Sequence, residues 1–209
     1  YNLKYRPIGL VDFQKEFAII PKSFNNEMIF SKLSVMVDSN IFDKPYLTVN
    51  KSDNTIIFDT SYLIIDDILV IPENYKIIGK PGLKINLLNN SLILSYSKIE
   101  FIGSSENPIH IYSADSTGQG IIIMEAENQS IFRNVIFSNI SNPKNLGWEL
   151  PGSITVYESK IKIFNTKFTN NYSEDFLNII RSEYEIYGCL FEKIYSDAFD
   201  SDFSDGSRQ

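Results

Sequence analysis

The chain has 209 residues and a formal net charge of −7, from 19 basic and 26 acidic side chains. The acidic balance argues against a nucleic-acid binder, which needs a basic stripe. No run of 18 apolar residues is present to enter a membrane, and a lone cysteine, Cys189, cannot form an internal disulfide. Abundant Ile, Asn, Ser, Phe and Tyr beside scarce Ala favours strands and turns over helices.

Residues 1–54 do not repeat. Apolar runs such as Phe17-Ala18-Ile19-Ile20 and Leu33-Ser34-Val35-Met36-Val37 sit between polar turns and read as a lead-in or cap. The chain starts at Tyr1 without an initiator Met or signal peptide, which reads as a processed product or an excised piece. From about residue 55 the pattern becomes regular. Short alternating apolar segments (Ile68-Leu69-Val70-Ile71, Tyr75 to Gly79, Leu83 to Leu87, Leu92-Ile93-Leu94, Ile99 to Phe101, Ile109 to Ile111) are broken by Gly, Pro, Asn or Ser. His110 alternates with Ile109 and Ile111 and should face outward. The stretch Ser116-Thr117-Gly118-Gln119-Gly120 reads as a turn. A longer insertion, Asn139 to Gly152, carries Pro143, Trp148 and Pro151.

The last third matches itself. Ser159 to Phe168 reappears as Ser182 to Phe191, an offset of 182 − 159 = 23, and Ser173-Glu174-Asp175-Phe176 reappears as Ser196-Asp197-Ala198-Phe199. A fixed period of this length carrying strand-like alternation is the signature of a stacked β-solenoid. The expected architecture for residues 55–209 is all-β: a right-handed parallel β-helix of five or six coils. The tail at Asp205 stops where another coil should begin, so the helix reads as truncated there.

Several motifs resemble the pectin-lyase-like superfamily of right-handed β-helices over about residues 60–206. They are Ile71-Pro72-Glu73-Asn74 with Ile77-Ile78-Gly79-Lys80-Pro81-Gly82, Phe101 to Ile111, and Ile163-Phe164-Asn165-Thr166-Lys167-Phe168-Thr169-Asn170. The resemblance implies a bacterial extracellular or cell-surface protein. It points to no single reaction, because the superfamily holds polysaccharide lyases, hydrolases, epimerases and non-catalytic surface proteins. The polygalacturonase pattern is absent: the one histidine sits in Pro108-Ile109-His110-Ile111 rather than in Gly-His-Gly.

Candidate chemistry gathers in Asp197, Asp200, Asp202 and Asp205. A period of 23 puts Asp200 beneath Ile154 and Leu177, and Asp202 beneath Val156 and Ile179, which would turn both acids into the core. A slipped strand, a bound Ca²⁺ held by hard oxygen ligands, or a frayed end would each relieve this. No cofactor is required; Ca²⁺ is the cation the acids suit. The same period makes Thr155, Asn178 and Ser201 an outward ladder beside Tyr157, Ile180 and Phe203. Tyr157, Asn178 and Trp148 are therefore candidate glycan contacts. Arg181 with Asp200 and Asp202 is the candidate catalytic set for β-elimination or glycoside hydrolysis.

The expected function is a non-catalytic extracellular module that binds a polysaccharide or cell-surface glycan, or that serves as a surface scaffold through self-association or within a larger parent protein. The alternative is a polysaccharide-active enzyme, Ca²⁺-dependent lyase or hydrolase, using the acids near 197–205.

Overall fold

The computed structural model describes residues 2–5, 14–17, 41–58, 60–145 and 148–208. Two compact units divide the chain, residues 1–36 and 37–209. In the first, Asn2–Tyr5 pairs antiparallel with Gln14–Phe17. The apolar runs at 18–20 and 33–37 lie outside the described residues.

The second unit is a parallel β-solenoid of six coils, each contributing one strand to each of three sheets. Sheet 1 starts with Thr55–Phe58 and Lys76–Gly79, and sheet 2 with Tyr62–Ile65 and Lys84–Leu87. Sheet 3 starts with Leu69–Ile71 and Ile93–Ser95. The sixth coil is Glu183–Tyr187, Leu190–Glu192 and Asp197–Asp202, after which Asp205–Arg208 adds a further parallel strand to sheet 1. At the other end Leu47–Asn50 pairs antiparallel with Thr55–Phe58, which closes the first edge of sheet 1.

Alternation decides which side chains enter. In Lys98–Ile102, Ile99 and Phe101 are buried while Glu100 is half-buried. In Ile109–Tyr112, Ile109 and Ile111 are buried and His110 is turned outward, as the pattern predicts. Stacked coils then place like on like. Phe101 stacks on Phe132 (ring centroids 5.8 Å apart), Phe137 on Phe168 (5.4 Å) and Phe168 on Phe191 (4.6 Å). Burying each such ring contributes about 1.5–3 kcal/mol before any stacking preference.

The corners are held by backbone in the left-handed region. Between sheets 1 and 2 it is adopted by Asn134, Asn165 and Gly188, and between sheets 2 and 3 by Asn139, Asn170 and Lys193. Asn and Gly are the residues that tolerate it best. Residues 116–120 lie in the irregular connection between Ile109–Tyr112 and Ile121–Met124. Although burial pushes its carboxyl up, Asp115 sits well below the usual carboxylate range, because the Thr117 and Asn89 amides and the Ser113 and Thr117 hydroxyls donate to it. Gly120 (φ 77°) lies so close to the next coil that a Cβ there would be 1.9 Å from the Ser153 carbonyl oxygen.

A serine ladder runs inside the corner between sheets 3 and 1. Ala126 N–H donates to Ser159 Oγ (2.9 Å), Ser159 N–H to Ser182 Oγ (3.1 Å) and Ser182 N–H to Ser204 Oγ (3.1 Å). Each hydroxyl donates back to the strand just ended, Ser159 to Tyr157 O, Ser182 to Ile180 O and Ser204 to Asp202 O. Outside the core, four ion pairs join coils 5 and 6: Lys160–Glu183, Lys162–Glu185, Lys167–Glu192 and Arg181–Glu158. Being exposed, each contributes only about 0–1 kcal/mol. The serines matter more. Ser182→Ala should destabilise the unit by about 1–3 kcal/mol, because the buried Ser159 amide and Ile180 carbonyl lose a partner. Urea denaturation checks this, with the exposed Ser105→Ala as a control expected within about 0.5 kcal/mol of the parent.

Candidate functional site

The expected core position of Asp200 and Asp202 is overturned by register. Coil 4 stacks on coil 5 with an offset of 23 (Ile154 on Leu177), but coil 5 stacks on coil 6 with an offset of 22 (Leu177 on Phe199). Between Thr169 and Asp175 lie five residues; between their partners Glu192 and Asp197 lie four. One deleted turn residue moves every side chain of the strand to the opposite face. Phe199 takes the inward place, packed edge-on against Tyr184, and Asp200 and Asp202 stand outward.

The expected ladder of Thr155, Asn178 and Ser201 is corrected in the same way. Its true members are Val70, Leu94, Ile122, Thr155, Asn178 and Asp200. The first five are buried (all 4% exposed or less), so Asn178 is not presented to solvent as a ligand contact. Likewise Tyr157 lines up with Ile180 and Asp202, not with Phe203, which lies in the following turn and is 90% exposed.

Asn178 instead bridges two carboxylates. Its Nδ2 donates to Asp175 Oδ2 (3.1 Å) and reaches Asp200 Oδ2 at 3.5 Å, while its buried Oδ1 has no partner. Asp175 is 4% exposed. Burial pushes its carboxyl above the usual range; the Asn178 bond opposes this, and the nearby Asp200, Glu174 and Asp197 reinforce it. Among the described residues no group of three or more His, Cys, Asp or Glu side chains is gathered closely enough to hold a metal ion. The candidate ligands split up: Asp200 and Asp202 lie on the outer face of sheet 3, while Asp205 opens the next strand of sheet 1.

The surface shaped for a ligand is the corner where sheet 3 hands over to sheet 1. Two clefts of about 450 and 490 Å³ lie there end to end and share Glu125 and Glu127. They run from Asp53 beside coil 1 to Asp205 beyond coil 6, six coil spacings or roughly 29 Å. The first cleft also holds Glu73, Tyr96 and Lys76; the second holds Glu158, Arg181 and Phe203. At this corner the left-handed backbone is adopted by Glu125 (φ 52°), Glu158 (45°), Arg181 (48°) and Phe203 (50°). A non-Gly residue there costs about 1–2 kcal/mol. Two corners meet that demand mostly with Asn or Gly, whereas this one uses Asn74 after the first coil and then charged and aromatic side chains at these four places, all four lining the second cleft. Strain retained at one place is a pointer to use.

Within the groove charge is only partly balanced. Arg181 Nη1 donates to Glu158 Oε1 (3.2 Å) and to the Tyr157 hydroxyl (3.4 Å), and Lys160 pairs with Glu183 (2.9 Å). Asp53, Glu73, Glu125 and Glu127 have no cationic partner among the described residues. Tyr96 feels them: burial, then Glu125 and Glu73, push its phenol up. Arg181 is held more firmly charged by Glu158 and Tyr157, the opposite of what a proton-abstracting base needs. No side-chain bond or ion pair joins it to Asp200 or Asp202.

Trp148 belongs to the hairpin of Lys144–Asn145 with Trp148–Glu149 in the 139–151 loop, and its side chain lies outside the described residues. Burial pushes the Cys189 thiol up, and its Sγ sits 3.7 Å from Ile163 O, half-buried against the core. No family model matches the chain, and no curated protein or solved structure is significantly similar to it.

Asp175 gives a pH test. Its folded carboxyl holds its proton more tightly than an ordinary carboxyl, so the folded state binds more protons than the unfolded state. Stability therefore falls as pH rises from the ordinary carboxylate range through the raised folded value. Asp175→Asn keeps an acceptor for Asn178 and removes the buried charge. The variant should melt higher than the parent at neutral pH, with the gap closing on acidification, in thermal unfolding scans from pH 7 to about pH 4.

Proposed function

We propose that the chain is a non-catalytic extracellular β-solenoid that binds a glycan strand laid along its axis in the corner groove. The carrying observation is the groove itself: a continuous, polar, roughly 29 Å trough whose lining residues keep a costly backbone conformation. Carboxylates accept hydrogen bonds from sugar hydroxyls, and partly exposed rings stack on the C–H faces of pyranoses. Across the two clefts seven acids face four cations, and this excess focuses a negative potential in the trough, which favours neutral chains over uronates. The resemblance of the coil motifs to the pectin-lyase-like superfamily supports the extracellular setting and the polysaccharide partner. A surface or assembly role within a larger protein is compatible with this reading.

A polysaccharide-active enzyme is the second reading. The observation favouring it is the gathering of Arg181, Glu158, Glu183 and Asp205 in one cleft. The acids at 200 and 202 stand outside that cleft, and Arg181 is engaged by Glu158 and Tyr157.

Affinity electrophoresis through gels containing neutral, uronate or amino-bearing polysaccharides tests the proposal. Retardation by a neutral polymer is expected, with Glu125→Gln/Glu127→Gln weakening it about tenfold, equivalent to ~1.4 kcal/mol. Parallel assays should find no new reducing ends and no unsaturated sugar products. Turnover abolished by Arg181→Ala would replace the binding reading with the enzyme one.

A further inference from the structure

A second concave site lies on the other margin of sheet 3, where sheet 2 hands over to it. A cleft of about 510 Å³ is walled by Tyr172 and Tyr195 and roofed by Asn142, Lys144, Glu149 and Pro151 of the insertion, with Glu174, Ser196, Asn142 and the Lys144–Glu149 pair supplying polar groups. The two tyrosines are 195 − 172 = 23 residues apart. Each stands in the turn that follows its sheet 2 strand, Tyr172 three residues after Thr169 and Tyr195 three residues after Glu192, the partner of Thr169 in the next coil. Both rings are well exposed, Tyr172 at 48% and Tyr195 at 78%. Two exposed rings bordering one cleft are not the scattered apolar surface of an ordinary protein.

The roof is fixed in place. Gln119 of coil 3 grips the loop at both backbone groups of Lys144, its Nε2 donating to Lys144 O and its Oε1 accepting from Lys144 N–H (both 3.1 Å). Asn142 Nδ2 donates to Glu149 Oε1 (2.9 Å) and to Leu150 O (2.7 Å). Lys144 Nζ lies 2.8 Å from Glu149 Oε1. The Lys144 and Asn142 bonds hold the Glu149 carboxyl below the usual range. Tyr172 is steadied at its hydroxyl, 3.4 Å from Ser116 Oγ and 3.5 Å from Asn170 Nδ2. A cleft built this firmly loses little ordering entropy on binding.

Its electrostatics differ from those of the corner groove. Lys144 and Glu149 neutralise each other, leaving Glu174 as the one unpaired charge among the lining residues. Two exposed rings on one cleft, hydroxyl-matched acceptors and near-neutral charge together suit an uncharged pyranose chain. We propose that Tyr172 and Tyr195 form a stacking platform for a neutral oligosaccharide, a site separate from the corner groove.

Isothermal titration with cellohexaose and with hexa-N-acetylchitohexaose tests it, with hexagalacturonate as the charged comparison. Saturable binding of at least one neutral hexamer is expected, at least tenfold tighter than that of the uronate. Tyr172→Ala and Tyr195→Ala should each weaken it tenfold or more at unchanged melting temperature, while Tyr195→Phe, which keeps the ring, should bind within about twofold of the parent. The proposal is overturned if neither neutral hexamer binds, or if the two alanine variants bind as the parent does. Glu125→Gln/Glu127→Gln separates the two sites. If that variant, rather than the tyrosine variants, removes hexamer binding, the platform is wrong and the corner groove stands; if hexamer binding survives it and follows the rings, the platform stands whatever becomes of the groove.

Discussion

Everything in the solenoid depends on how one coil sits on the next. Parallel strands fix the spacing at about 4.8 Å, so a side chain's principal neighbour is its counterpart one coil away. That rule turns single residues into columns: the Phe137–Phe168–Phe191 stack, the serine ladder from Ser159 to Ser204 and the lysine–glutamate pairs between coils 5 and 6. It also makes the molecule nearly one-dimensional, since most interactions are between adjacent coils. An error of one residue in a turn then affects a whole strand and hardly anything beyond it.

The same rule explains what could and could not be read from the sequence. Inward and outward positions, the parallel architecture and the extra length at 139–152 follow from alternation and period, both properties of the strands. The fate of Asp200 and Asp202 depended on a turn. The similarity of Ser173-Glu174-Asp175-Phe176 to Ser196-Asp197-Ala198-Phe199 suggests an unbroken offset of 23, yet Asp175 pairs with Asp197, one residue short of it. Turn length is set by how the backbone closes a corner, and no hydrophobic pattern reports it. Tyr172 and Tyr195 stand 23 residues apart in the sequence, but period alone does not tell a covered flank from an open one, so nothing local marks their exposure. The burial of Val70, Leu94 and Ile122 on the far side of sheet 3 shows the same limit. These residues read as ordinary strand alternation, and nothing local announces that both faces of that strand are enclosed.

That enclosure explains where the candidate sites lie. The broad outer face of sheet 3 is closed over much of its length, and among the described residues these ligand-sized clefts lie at its two margins. The margins have different characters. The corner groove carries more acids than cations, and the opposite cleft pairs Lys144 with Glu149 and displays rings. A buried carboxylate beside an unsatisfied amide, Asp175 with Asn178, lies between them and is shielded from solvent. Its energetic consequence is therefore felt in folding before it is felt in recognition.

The left-handed residues at the corner between sheets 3 and 1 have a consequence for how such a protein changes over generations. Glu125, Glu158 and Arg181 occupy places where the backbone amide bonds to the next coil, and their side chains, like that of Phe203, stand clear of the hydrophobic core. Any residue placed there meets the same conformational demand and disturbs almost no packing. The corner behaves as a row of interchangeable sockets along a fixed rail. Selection can rewrite what the trough recognises, one coil at a time, without redesigning the fold that carries it.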